Sequence, residues 1–330
     1  MKIKAAVIGM GIGNKHLEAI ENYKGSIVKI ICEKNKNKIL RLKKKFPDKI
    51  ITSNENVIFD NKEINLVSIA SYDNYHFSQI VKSIKSNKNI IVEKPMCLNL
   101  KELKIISRLL KLKKTKITSN LVLRVNSLFK NFKKKIDKEN VFYIEADYLW
   151  GRREKLNGWR SKIKDYSITL GAGIHMIDIV MWILNLKPKY VTAYGNDIAT
   201  KNSKFKKKSF AVYIFEFPKK ILVKITANAS GIFNHFHEMK IFQKNNTLIH
   251  NFNGSFNFKK INKITKVSRL NTKYPDKENR KKLIHNFIDS LLNKDKKTIV
   301  SLKEQINLMN ICFAADKSLN NGSRIKIKYF

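Results

Sequence analysis

Cysteine is nearly absent: Cys32, Cys97 and Cys312 are the only three in 330 residues. They are odd in number and far apart, with no CxxC or Cys/His ligand spacing, so neither a disulfide framework nor a zinc or other metal site is expected, and a reducing compartment fits. Long apolar runs are missing too. The longest candidate for insertion, IVMWIL at 179–184, is far too short to cross a bilayer. The first residues, MKIKAAVIGMGIG, enter a strand-like run with no apolar stretch and cleavage site. A soluble, cytoplasmic protein with no membrane partner is the expectation. No Gly/Ser/Pro-rich linker and no internal repeat interrupts the chain.

Acidic residues are few: 26 Asp and Glu stand against 67 Lys and Arg, a formal charge of +41. Such a charge raises the question of nucleic acid. However, only nine of the cations are Arg, the residue best suited to paired recognition of phosphates and bases. The rest are Lys, accompanied by an excess of Asn, Ile, Phe and Tyr, all with A/T-rich codons, and no motif of the usual nucleic-acid modules occurs. Base composition accounts for the pattern and nucleic acid is not expected as a partner, although a basic surface would draw in anionic cofactors and substrates. With 43% hydrophobic residues the chain can bury a large interior, and its length suits two domains.

Residues 3–8 (IKAAVI) form an apolar run ending in glycines, followed by an amphipathic stretch and a second apolar run at 27–32. The alternation continues through a helix at 35–46, strands near 50 and at 65–70, a helix at 76–87, a strand at 89–93, a helix at 99–113 and a strand around 116–121. Repeated strand–helix units imply a parallel sheet with helices on both faces. From about 141 long strands dominate, at 141–150, 189–197, 209–217, 220–229, 236–243 and 246–252, with one helix at 173–185. The tail reads as helices at 278–293 and 302–320 and a last strand. The expected fold is α/β: a doubly wound Rossmann domain over 1–121, and an α+β domain with a mostly antiparallel sheet over 122–330, whose last helices could pack back on the first domain. The lysine runs at 43–45, 133–135 and 206–208 read as solvated faces or turns.

Gly9, Gly11 and Gly13 end the first strand, where a tight turn and close approach to a pyrophosphate require residues without a Cβ. The loop is irregular: the third glycine of GxGxxG falls on Asn14, with Gly13 one place earlier and Ile12 between the glycines. An ordinary strand–helix turn would share these glycines. Glu33, at the end of the second strand, supplies the acid that would bind the adenosine ribose hydroxyls and repel a 2′-phosphate. NAD is favoured over NADP, with Lys34 beside the acid softening the preference.

At Glu93, Lys94 and Pro95 the chain begins to resemble the glucose-fructose oxidoreductase, inositol dehydrogenase and rhizopine-catabolism (Gfo/Idh/MocA) family. The segment SYDNYHFSQIVKSIKSNKNIIVEKPMCLNLKEL carries the resemblance, together with GMGIGNKH, TSNLVLRVNSLF, WGRREKLNGWR, GIHMIDIVMWIL and AADKSLNNG, in the family's order and across nearly the whole chain. The resemblance implies that Lys94, beside the nicotinamide, positions or protonates the substrate oxygen, and that His175 serves as general base. A lysine at the carboxyl end of a parallel strand suits such a role, as does a histidine titrating near neutrality. Many family members carry an aspartate four residues before that histidine; here Gly171 stands in its place. Asp178, on the same helix face as His175, and Tyr166 are alternative partners for the proton, and each has an equally good structural role. Asn74 and His76 resemble the segment near the nicotinamide ribose. Asn120 and Arg124 would open the second domain toward substrate, and Arg152, Trp159 and Arg160 would suit sugar rings and phosphate.

The function expected is therefore NAD-linked oxidation of a secondary alcohol on a sugar or nucleotide sugar, or the reverse reduction, by a homodimer or homotetramer. Two alternatives stay open: a family member holding NAD tightly for sugar chemistry without net redox change, and a catalytically silent NAD-binding sensor or scaffold.

Overall fold

The computed structural model describes residues 2–260, 263–268 and 278–330. The chain forms two compact units: Met1–Val122 with Glu278–Ile306, and Leu123–Lys277 with Asn307–Phe330.

The first unit alternates β1 (Ile3–Ile8), α1 (Gly13–Glu21), β2 (Ser26–Cys32), α2 (Lys36–Lys45), β3 (Ile50–Thr52), α3 (Asn56–Asp60), β4 (Leu66–Ile69), α4 (Asp73–Lys85), β5 (Asn89–Val92), α5 (Leu100–Leu112) and β6 (Ile117–Ser119). Apart from the edge strand β3, its strands are short and largely buried, so they read as continuous apolar runs, as parallel strands covered on both faces do. All six are parallel, in the order β3-β2-β1-β4-β5-β6. The order reverses between β1 and β4, and that switch point opens the crevice beyond the strand ends where ligands of doubly wound sheets bind. On one face of the sheet Ile3, Val7, Ile20, Val28 and Ile31 form a buried core with Ile284, Phe287 and Ile288 of α9 (Asn279–Leu292). Polar contacts fix that tail helix: the Tyr23 hydroxyl donates to Asp289 at 2.5 Å, and the His285 ring meets the Ala19 carbonyl at 2.8 Å.

The second unit contains α6 (Ser127–Lys135), β7 (Val141–Leu149), α7 (Trp159–Lys162), α8 (Ile174–Leu184), β8 (Tyr190–Asn196), β9 (Phe210–Glu216), β10 (Leu222–Asn228), β11 (Phe236–Gln243), β12 (Thr247–Asn251), β13 (Gly254–Lys260) and β14 (Lys263–Ser268). α10 (Leu302–Asn321) supplies its last residues to this unit, and β15 (Ile325–Lys326) joins the sheet edge. The nine strands run β14-β13-β12-β11-β7-β10-β9-β8-β15, antiparallel throughout except for β7 beside β10.

The expected elements are all present, with boundaries shifted by a few residues. The sequence reading lacked α3, α6, α7, β13 and β14. In α6 only Leu128, Phe129 and Phe132 face inward, and the lysine run behind them forms the last turn. The run at 206–208 departs from a solvated turn, because the ammonium groups of Lys207 and Lys208 reach the carbonyls of Ile163 and Leu319. The three cysteines are buried thiols outside any disulfide among the described residues. No helix among the described residues is long and apolar enough to cross a membrane.

Candidate active site

In the first unit the sheet ladder continues one residue past each strand. Gly9 N–H donates to the Cys32 carbonyl, Ala70 to Ile8, Glu93 to Ile69 and Asn120 to Val92, at 2.8–2.9 Å. Glu33, Gly9, Ala70, Glu93 and Asn120 thus form a row along the carboxyl edge, in the strand order β2-β1-β4-β5-β6.

Gly9 has φ +85°, and a Cβ there would meet the Ala70 carbonyl oxygen at 2.6 Å, so only glycine fits. Around Gly11 a Cβ would meet nothing within 4 Å. Gly13 abuts Val7 and Ala70, where a Cβ would find neighbours at 3.1 and 3.3 Å. The close helix–strand packing given to the third glycine of the regular motif is therefore met one position early, which leaves Asn14 free to brace the loop through 2.7 Å to the Met10 carbonyl. Ile12, 40% exposed, offers no side-chain cap to α1, and no acid lies in its first turn. The leading amides of α1 thus receive no side-chain cap from Ile12, an arrangement suited to an anion.

Glu33 is buried and accepts N–H from Met10 at 3.0 Å, Lys34 at 2.8 Å and Asn35 at 3.0 Å. Burial raises its pKa, but these amides and Lys38 outweigh it and hold the carboxyl below its usual value. The acid read as a ribose ligand therefore also ties the glycine loop to the end of β2.

Glu93 anchors a second network. Its Oε1 meets His16 Nε2 at 2.9 Å, accepts from Asn120 Nδ2 at 2.7 Å and lies 3.4 Å from Arg280 Nε; the other His16 nitrogen meets Ser68 Oγ at 2.7 Å. Burial opposes its ionisation, yet His16, Arg280 and Asn120 hold it far below the ordinary carboxylate range. The His76 ring is buried with carbonyls at both nitrogens, Pro95 at 2.7 Å and Ser71 at 3.2 Å. Lys94, half-buried just past β5, is therefore flanked by two pinned residues.

These contacts correct several expectations. Asn120 lies in the first unit, spent on Glu93, and does not open the second domain. His76 holds the backbone after Pro95, leaving its ring no free nitrogen for a cofactor. Asn74 is exposed in the first turn of α4, which starts at Asp73, ahead of the expected 76. His16, Ser68 and Arg280 were not singled out from sequence. The available signals were a polar His16 on the apolar face of α1 and a serine inside the apolar run NLVSIA.

In the second unit, residues 169–173 form a π-helical turn leading into α8, and wide turns of this kind recur at functional sites. His175 follows, half-buried, stacked on Tyr148 of β7 with ring centroids 5.5 Å apart and 7° between planes. His235 and His237 meet the same tyrosine edge-on at 5.3 and 4.7 Å. Burial and the nearby Arg152 push His235 down to about 4, and burial with the neighbouring imidazoles pushes His237 well down. This histidine cluster was also missed; its signal is the pattern His235-Phe236-His237 entering a strand.

A Cβ at Gly171 would overlap the Tyr166 hydroxyl, so Tyr166 fills the space a longer side chain at 171 would need. Tyr166 is 3% exposed, packed edge-on against Trp159 at 6.2 Å and Phe205 at 5.8 Å. Asp178 and Arg124, both read as substrate ligands, are each 1% exposed and bound to one another, Arg124 Nε and Nη2 donating to the carboxylate at 2.6–3.1 Å. An acid inside so apolar a helix requires such a partner. Asp178→Ala should therefore destabilise the protein by about 3–5 kcal/mol, since it takes the carboxylate away from a buried guanidinium. Chemical denaturation measures the loss, and one below about 1 kcal/mol would mean that water reaches the pair.

Arg152 and Arg160 are half-buried, while Arg153 is exposed. The Arg160 guanidinium lies over the rings of Trp159 and Trp150, 4.2 and 5.0 Å from their centroids.

Residues 3–121 match the family model described as "Oxidoreductase family, NAD-binding Rossmann fold", and residues 133–327 match "Oxidoreductase family, C-terminal alpha/beta domain". Among curated proteins, scyllo-inositol 2-dehydrogenase (NADP(+)) IolW of Bacillus subtilis (strain 168) is 24% identical over 200 residues, 58% of this chain; the match spans about half of that relative, 54% of its length. Among solved structures, myo-inositol 2-dehydrogenase from Lactobacillus plantarum superposes with TM-score 0.85 at 16% identity, covering 99% of this chain and 100% of the other. Levoglucosan dehydrogenase in complex with NADH gives TM-score 0.86 at 16% identity, with 100% of both chains covered.

Proposed function

The chain belongs to this oxidoreductase family, and we propose that it is an NAD-dependent dehydrogenase of a secondary alcohol on a sugar, cyclic polyol or nucleotide sugar. The observation carrying the proposal is the row Glu33, Gly9, Ala70, Glu93 and Asn120 along the switch-point edge. The residues fit a dinucleotide: the space at Gly11 and the uncapped amides of α1 suit its pyrophosphate, and Glu33 suits the adenosine ribose. When bound, the nicotinamide supplies the two-electron acceptor for the carbon-bound hydride. Lys94 holds the substrate oxygen and stabilises its developing charge. His175, oriented by its stack on Tyr148, takes the hydroxyl proton as the alcohol becomes a ketone and returns it in the reverse direction. A cytoplasmic location belongs to the same proposal. So does homo-oligomer formation through the half-exposed sheet face bearing Tyr143, Phe242, Val212 and Ile214.

The test is NADH formation, followed by absorbance, with inositols, free sugars and nucleotide sugars offered to the purified protein. We expect turnover with a member of this set, and with NAD ahead of NADP. Turnover with none would sink the dehydrogenase reading, and equal use of NADP would remove Glu33 from cofactor selection.

A further inference from the structure

Arginine is used sparingly, and its surroundings divide cleanly. Of the half-buried or buried arginines among the described residues, Arg124 faces Asp178 and Arg280 faces Glu93. Arg152 and Arg160 have no carboxylate within ion-pair distance among the described residues; in particular, neither pairs with Glu154 or Asp165, the local acids available to them. The Arg160 guanidinium sits against two indoles, with Nη1 3.4 Å from the Lys155 carbonyl. Trp150 in turn meets Tyr148 edge-on at 6.4 Å, and Tyr148 carries His175. A contact path thus runs from Arg160 to the histidine. Burial, Arg152 and Arg160 together lower the Lys155 pKa against the opposing pull of Glu154. Gathering three cations so close together costs free energy that no carboxylate among the described residues offsets within ion-pair distance of the two guanidiniums, and an incoming anion would.

We infer that Arg152, Arg160 and Lys155 form a binding site for an anionic group of the substrate, a phosphate or a carboxylate, beside the Trp150 indole that leads to the Tyr148–His175 stack. The inference rests on the dehydrogenase reading and deepens it by naming the substrate class: a sugar carrying an anion. Guanidinium groups suit this role because they bind two oxygens of one anion through parallel hydrogen bonds.

Tryptophan fluorescence tests the site without turnover. Two of the three indoles touch Arg160, and all three, at positions 150, 159 and 182, belong to the second unit, so the arginine variants tell whether the signal arises at this site. Inorganic phosphate, UDP and D-glucuronate would be titrated at constant ionic strength, with D-glucose as the neutral control. We expect a saturable change with anions only, weakened roughly tenfold or more by Arg152→Gln or Arg160→Gln, and unaltered by Arg41→Gln on α2. Tighter phosphate and UDP would assign a phosphoryl group, and tighter glucuronate a carboxylate. An equal response to glucose, no saturable response to any anion, or wild-type binding in both arginine variants would overturn the site. Anion binding without NADH formation from any alcohol would instead count against the dehydrogenase reading, and NADH formation from a neutral polyol without anion binding against the site alone.

Discussion

Lys94→Ala should fold, bind NADH within a few-fold of the wild type, and lose roughly two or more orders of magnitude in kcat, the loss expected when a group acting on the transition state is removed. Folding should survive because Lys94 is only half-buried, whereas the structure around it rests on its neighbours. Glu93 is fixed by His16, Asn120 and Arg280, and the Pro95 carbonyl by His76. A lysine held between two pinned residues loses little orientational freedom on meeting substrate, so its contribution should appear in kcat and scarcely in NADH affinity. Lys94→Arg separates charge from proton handling: it keeps the cation but cannot release a proton near neutrality. Single-turnover rates with NAD and the best alcohol, beside NADH affinity by fluorescence, give the split. Turnover retained in Lys94→Ala would remove the residue from the mechanism.

What the sequence revealed of this arrangement follows from how local each cause is. The Rossmann half was legible because parallel strands buried on both faces are apolar runs punctuated by glycine, a signal contained within a few residues. Glu33 was legible because its distance from the loop is set by one helix and one strand. The network around Glu93 was not, since its partners come from α1, β4, β6 and the tail helix α9, elements that only the folded topology brings together. Asp178 shows the opposite failure. Its helix position was read rightly, but a charged residue in IHMIDIVMWIL asks first for a buried partner, and Arg124 was assigned to substrate when it was that partner. Gly171 was noticed as a departure from the family pattern; that Tyr166 fills the space is a matter of packing between positions five residues apart, invisible without coordinates.

Gly11→Val should yield a folded protein with near wild-type melting temperature and NADH affinity reduced by about two orders of magnitude or more, because a side chain there fills the space through which the loop backbone approaches a pyrophosphate. The surroundings make the two effects separable: a Cβ at Gly11 meets nothing within 4 Å in the protein itself, so a valine offends only a ligand. Gly9 is the converse case. Its φ of +85° and the Ala70 carbonyl 2.6 Å from a would-be Cβ mean that Gly9→Ala strains the loop before any ligand arrives. That variant should lose about 1–3 kcal/mol of stability along with binding. Thermal melts and NADH titrations of both variants, run together, distinguish a loop that the cofactor needs open from one that the fold needs tight. If Gly11→Val bound NADH as the wild type does while remaining folded, the loop would not lie against the pyrophosphate, and the uncapped amides of α1 would need another ligand to explain them.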